Sequence, residues 1–266
     1  MSSITVRNVA FAYKTTPILE QINMDIASGD FVCLLGQSGC GKSTFLRLMA
    51  GLEIPSGGEI LVDGKALLES GADRSMVFQD YSLFPWFTTG KNLLLALKQK
   101  YPGQSQKELV EKIRYYLNEV GLNQDVYDKY PNELSGGMRQ RCAICRAFAL
   151  DTSLMLLDEP FGALDAVNRA RLQDMIQSMW AKKGQDRKTV LFVTHDVEEA
   201  LLLSTRIFLF GTSPSKIIYS CELKDKQLIN RNALFENQEM LELRNTLLHI
   251  LNQDIEDKIK NEEKKL

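Results

Sequence analysis

Gly36-Gln37-Ser38-Gly39-Cys40-Gly41-Lys42-Ser43 is the densest chemical feature of this sequence. It has the spacing G-x-x-x-x-G-K-[ST], in which glycines let successive backbone N–H groups converge on an anion. A short apolar run, Phe31-Val32-Cys33-Leu34-Leu35, precedes it, and a helical pattern with Phe45, Leu46, Met49 and Leu52 on one face follows. A helix starting there adds its positive end to the same anion. Lys42 is expected to reach the β- and γ-phosphates of a nucleotide, and the Ser43 hydroxyl to ligate Mg²⁺.

Two further groups suit hydrolysis. Leu154-Met155-Leu156-Leu157 is an apolar strand pattern that delivers Asp158 and Glu159 to the carboxyl end of a sheet, where such sheets bind ligands. Asp158 reads as a second Mg²⁺ ligand, and Glu159 as the general base for an attacking water. His195 closes another strand pattern, Val190-Leu191-Phe192-Val193-Thr194, and can donate to the γ-phosphate. Gln79 follows the strand Ser75–Phe78 and offers an amide oxygen to the metal. The other histidine, His249, reads as a plain residue of a C-terminal helix.

The elements that must hold these groups alternate in kind. Ile4, Val6 and Val9 begin a strand, Ile22, Met24 and Ile26 alternate as a second, and Asp63-Gly64 signals a hairpin. Strand patterns at residues 31–35, 154–157, 190–193 and 207–210 alternate with helices, which implies a mainly parallel sheet. From Thr88 to Tyr130 the pattern is amphipathic and helical, so an α-helical subdomain of about 88–150 is expected inside the core. The fold class expected is therefore α/β, with an N-terminal antiparallel β part and an inserted helical subdomain. Residues 1–220 form the expected main domain and 221–266 a helical extension, with Met240, Leu243, Leu247, Leu251 and Ile255 at helical spacing.

Composition narrows the partners. The chain has 32 basic against 34 acidic residues, which argues against the surplus of positive charge that nucleic-acid binding requires. No apolar stretch reaches the roughly 18 residues of a membrane span, and the N-terminus lacks a signal-peptide pattern. A cytoplasmic protein with reduced thiols is expected. Cys142 and Cys145 form a C-x-x-C inside a helical pattern and read as packing residues. Cys40, at a helix start, is expected to be open to alkylation.

Leu134-Ser135-Gly136-Gly137-Met138 is a second glycine-bearing helix start. One nucleotide does not need two anion sites from one chain, so a dimer is implied in which each phosphate loop meets the other chain's Ser-Gly-Gly. Here the sequence resembles the ATP-binding cassette family, whose P-loop NTPase core carries this pentapeptide as its signature. The resemblance covers roughly residues 4–220. It implies that Gly36, Gln37, Ser38, Gly39, Cys40, Gly41, Lys42, Ser43 and Thr44 form the Walker A loop, with Tyr13 stacking on the adenine of ATP. Gln79 looks like the Q-loop glutamine, Ser135, Gly136 and Gly137 like the residues that contact the γ-phosphate in trans, and Asp158 with Glu159 like the Walker B pair. Ala163-Leu164-Asp165 resembles the D-loop, and His195 the switch histidine.

Finer features are similar to bacterial nitrate, sulfonate, taurine and bicarbonate uptake ATPases: Leu83-Phe84-Pro85-Trp86, the run Ser135 to Arg141, and Phe161-Gly162-Ala163-Leu164-Asp165. That resemblance implies a head-to-tail homodimer on the cytoplasmic side of the inner membrane, bound to integral membrane permease subunits and served indirectly by a solute-binding protein. Phe84, Trp86 and Phe87 are the candidates for the permease contact. Cys142 and Cys145 depart from the aliphatic or alanine residues usual in that helix. A soluble cassette acting on nucleic acid or ribosomes is the chief alternative; an exporter half and an ATP-sensing scaffold are others. Intact Lys42, Asp158, Glu159 and His195 argue against the scaffold.

Overall fold

In the computed structural model, residues 2–162, 164–181, 187–223 and 231–263 are described. The chain divides into two compact units, Met1–Gly71 with Gly184–Leu266, and Ala72–Lys183.

The first unit opens with the antiparallel pair β1 (Ile4–Tyr13) and β2 (Thr16–Ile26). Alternation buries Ile4 and Val6 on one strand, with a register shift carrying the buried face on to Val9, and Ile22, Met24 and Ile26 on the other. β4 (Gly57–Val62) adds to β1, and β5 (Lys65–Ala66) to β4, giving the order β2-β1-β4-β5. The β4–β5 turn is Asp63-Gly64, with φ of 51° and 74°. Two left-handed residues match the twist of a tight hairpin, which is why Asp-Gly stands there.

β3 (Phe31–Gly36) leads into α1 (Lys42–Ala50), and β8 (Thr189–Thr194) into α6 (Val197–Leu203). β9 (Arg206–Phe210) and β10 (Ile217–Glu222) complete the unit's second sheet, ordered β10-β9-β3-β8. β3 runs parallel to β8 and β9, while β10 is antiparallel. Every residue of β3 and β8 is buried, as expected for strands covered on both faces. The short α7 (Ala233–Glu236) precedes α8 (Gln238–Glu263), the amphipathic helix expected at the C-terminus. α8 docks on α6: Leu247 is fully buried, and Arg244 pairs with Glu198 at 2.9 Å.

The second unit contains the parallel pair β6 (Arg74–Val77) and β7 (Leu154–Asp158). Between them lie α2 (Thr89–Lys100), α3 (Gln106–Glu119) and α4 (Gly136–Ala149), with no strand among the described residues. Thr88 caps α2, and Ser105 with Glu108 forms a reciprocal capping box on α3. Leu93, Leu97, Leu109, Ile113 and Leu117 are fully buried, the apolar faces read from the sequence. α5 (Ala166–Ala181) follows β7. The α/β class, the mainly parallel sheet, the antiparallel N-terminal part and the helical insert are all present.

Candidate active site

The phosphate loop is built by a strand that stops at a glycine and a helix that starts after one. A Cβ at Gly36 would lie 2.6 Å from the Phe210 carbonyl oxygen on the neighbouring strand, so no side chain fits there. Gly41 has φ 103°, and a Cβ would meet Leu19 Cδ2 at 2.9 Å. Gly41 occupies the N-cap of α1, so no capping side chain competes with an anion at this helix start. Lys42 is only 3% exposed, and its ammonium donates to the carbonyls of Gly36 at 2.9 Å and of Gln37. A buried cation satisfied by its own loop's carbonyls fits a site built for a polyanion.

His195 sits at the same edge as this loop. Leu35 of β3 pairs in register with Thr194 of β8, so Gly36 and His195 each lie one residue beyond the pair. The turn is fixed locally: Thr194 Oγ1 donates to Glu199 at 2.6 Å, and Asp196 caps α6 through the amides of Glu198 and Glu199. His195 itself is exposed. Tyr13 is 41% exposed at the end of β1, edge-on to Phe11 at 4.8 Å between ring centroids, and so is not a core residue.

In the second unit, the register Val77↔Leu157 sends Gln79 and the Asp158-Glu159 pair out of the same strand ends. Asp158 is buried, and Glu159 has φ 46°, a left-handed conformation that a glutamate seldom adopts. Gln79 is exposed and leads into Tyr81 and Ser82, which are left-handed at φ 66° and 42°. Arg146, which the sequence reading missed, holds them: its guanidinium donates to Ser82 O at 2.8 Å and to Tyr81 O at 3.4 Å. An arginine on the apolar face carrying Cys142, Cys145 and Ala149 was the available signal.

Ser135 is the N-cap of α4, its hydroxyl accepting from Met138 N at 3.3 Å. Gly137 packs against Leu164: a Cβ there would lie 2.9 Å from Leu164 Cδ2, so that side chain would have to shift. Asp165 accepts from Asn168 N at 2.9 Å and from its side-chain amide at 2.6 Å, which holds its carboxyl below the usual range. Ala163 lies outside the described residues.

A family model described as ABC transporter matches residues 19–162, across the phosphate loop, the Ser-Gly-Gly turn and Glu159. The chain belongs to the ABC transporter family. This ABC chain is 46% identical over 216 residues to the nitrate import ATP-binding protein NrtD of Synechocystis, covering 80% of it and 79% of the relative. It is 44% identical over 207 residues to the aliphatic sulfonates import ATP-binding protein SsuB of Bacillus cereus, covering 77% and 78%. Among solved structures it is similar to the dimeric post-hydrolysis state of the ATP-binding cassette MJ0796 bound to ADP and Pi. There the TM-score is 0.75 at 30% identity, over 84% of this chain and 99% of that one. These likenesses agree with the importer-type resemblance of the sequence, and the ABC chain is an ATP-binding ATPase subunit.

The thiols of this ABC chain correct one expectation. Cys40 is not an exposed helix-start thiolate; it is 3% exposed, and burial pushes its thiol up although Lys42 opposes this. Desolvation outweighs the pull of Lys42, whose ammonium donates to the sulfur at 3.6 Å. Cys142 and Cys145 are fully buried, as packing residues should be.

Proposed function

We propose that two copies of this chain close head to tail around two ATP molecules and, through a bound permease, power uptake of a small anionic solute. The observation that carries the dimer is the presence of two glycine-bearing helix starts in one polypeptide, at α1 and at α4. The first supplies Lys42 and converging amides; the second supplies Ser135, Gly136 and Gly137 to the γ-phosphate held by the other copy. Closure is a shift of population: moving it from 1:99 to 99:1 takes about 5.5 kcal/mol of differential affinity for ATP. γ-Phosphate contacts from both copies act in that range.

Each residue has a role in this reading. Tyr13 stacks on adenine, and the loop Gly36–Thr44 holds the phosphates. Glu159 takes the proton of the attacking water, His195 donates to the γ-phosphate, and Lys42 neutralises the charge that develops there. Asp165 lines the closing surface between copies. Ser43, Asp158 and Gln79 would hold Mg²⁺. Among the described residues no cluster of three His, Cys, Asp or Glu could bind a metal, and hard oxygen donors with a single carboxylate suit an ion that also takes phosphate oxygens. Bound there, Mg²⁺ would neutralise the β- and γ-oxygens.

The import reading rests on the names of the nitrate and sulfonate relatives, and it places the protein peripherally at the cytoplasmic face of the inner membrane. No helix among the described residues is long and apolar enough to cross a membrane; in this reading the permease supplies the path for solute. Phe84 and Trp86 are exposed, and their rings pack 5.5 Å apart beside Phe87. A hollow of about 370 Å³ lined by Asp80, Tyr81, Leu83, Pro85, Pro131, Asn132 and Arg139, its walls mostly apolar, lies in the same unit. This apolar ground suits the permease contact, and a solute-binding protein would act only through that permease.

The test is Glu159→Gln with ATP and Mg²⁺. The variant should lose turnover and accumulate as an ATP-bound dimer by light scattering. A variant that hydrolyses at the wild-type rate removes Glu159 from its role.

A further inference from the structure

α4 meets the segment after β7 at three points. Gly137 lies against Leu164, whose Cδ2 is 2.9 Å from where a Cβ would stand. Arg141 donates to Asn168 Oδ1 at 2.8 Å, and Asn168 in turn binds the Asp165 carboxylate. Between these contacts, Gln140 donates through Nε2 to the carbonyl oxygen of Pro160, the residue that follows Glu159.

The Gln140 contact differs from the other two. Gln140 is only 2% exposed, and its Oε1 has no hydrogen-bond partner among the described residues. The amide is thus oriented by its donor side alone, against the backbone of the Glu159 turn. That turn is unusual, because Glu159 stands at φ 46° between a buried strand and a proline. A left-handed non-glycine residue persists where its surroundings over-determine it, and such strain gathers at functional sites. Gly162 N closes the turn on Glu159 O at 3.3 Å, but that bond does not reach outside the turn. Gln140 does.

We propose that Gln140 is a positioning residue for Glu159, holding the base's backbone from the helix that begins at Ser135. The inference rests on the proposed function. In that reading the start of α4 grips the nucleotide bound by the second copy. Gln140 then carries the state of that grip one and a half turns along α4 to Pro160 and so to Glu159. Hydrolysis is therefore coupled between the two nucleotides through a link inside each chain. Gln140 does not touch the reacting atoms; its effect is on where Glu159 stands.

Gln140→Met keeps the length of the side chain and removes the donor. It also removes the unpaired oxygen, so the loss at Pro160 is offset and thermal stability should change little. The variant should lose about tenfold in kcat, with KM for ATP within about twofold, the pattern of an interaction that matters in the transition state. The Hill coefficient for ATP should fall toward 1. Combined with Glu159→Gln, it should still form the ATP-bound dimer.

An unchanged kcat overturns the proposal. So does a fall in kcat matched by lost dimer or by unfolding, since Gln140 is then structural; Gln140→Leu repeats the comparison with a different shape. A wild-type protein without ATP turnover would overturn the proposed function and this inference together. Wild-type turnover with an unaltered Gln140→Met overturns this inference alone.

Discussion

The Lys42 ammonium donates to the carbonyl oxygen of Gly36 at 2.9 Å, joining the last residue of β3 to the first residue of α1 across the phosphate loop. The bond closes the loop on itself around a buried cation. A phosphate entering the loop offers that cation a stronger, charged acceptor than a carbonyl.

Lys42→Ala should therefore remove both the closure and the charge. Turnover should fall by at least about a hundredfold, or about 2.7 kcal/mol of transition-state stabilisation. Steady-state phosphate release, with calorimetry for nucleotide affinity, measures the two effects separately. Wild-type rates in the variant would take Lys42 out of the chemistry.

Ser135→Arg addresses the second helix start. It replaces the N-cap of α4 with a bulky cation, so dimer closure should fail and hydrolysis should fall by about tenfold or more. Binding of ATP by the monomer should survive, because in the proposed function that affinity comes from the Gly36–Thr44 loop. Intact hydrolysis in this variant is the outcome that sinks the trans arrangement.

The thiols give a prediction that needs no substitution. Burial raises all five; Cys142 is pushed up to about 12 and Cys221 to about 11. At pH 8 the native protein should react slowly with maleimide, whereas in denaturant five labels should appear by mass spectrometry. The sign of the linkage follows from the raised folded values. Stability from these protonated thiols is complete below the unfolded value, near 9.0, and is lost as pH climbs toward the folded value of about 12. Urea midpoints at pH 8 and pH 10 should differ in that direction. Rapid native labelling of Cys40 would contradict its burial.

α8 offers a stability test away from the chemistry. Leu247 is fully buried where α8 lies on α6, and the Asp254 carboxylate accepts from Thr212 N at 2.8 Å. Leu247→Ala should cost about 2–5 kcal/mol, the range for opening a cavity in a core, read as a lower urea midpoint. Asp254→Ala should cost about 1.5–3 kcal/mol through a lost charged hydrogen bond. No change in either midpoint would mean that α8 contributes nothing to the fold.

The candidate site residues stand out in the sequence because their signals are local. Gly36 to Ser43 is a contiguous spacing, and Asp158, Glu159 and His195 each follow an apolar run whose strand character is plain from four or five neighbours. Within each unit parallel register did the rest: Gly36 and His195 leave β3 and β8 side by side, and Gln79 and Asp158 leave the paired ends of β6 and β7. Cys40 shows the limit. Its place at a helix start suggested a reactive thiolate, yet what governs it is burial, which spacing does not encode. Arg146 was missed for a similar reason: in the sequence it is one cation in an apolar helix, and only folding brings two strained carbonyls to it.

The amino-acid order by itself determined the family, the α/β class and the chemical type of each candidate site residue, because those follow from side-chain identity and from periods of two and 3.6 residues. Tertiary structure alone decided which thiols are masked, how the turn after Gln79 is held, and that Gln140 reaches Pro160. Such properties depend on desolvation and on contacts between residues far apart in the chain, and these exist only once the elements have packed.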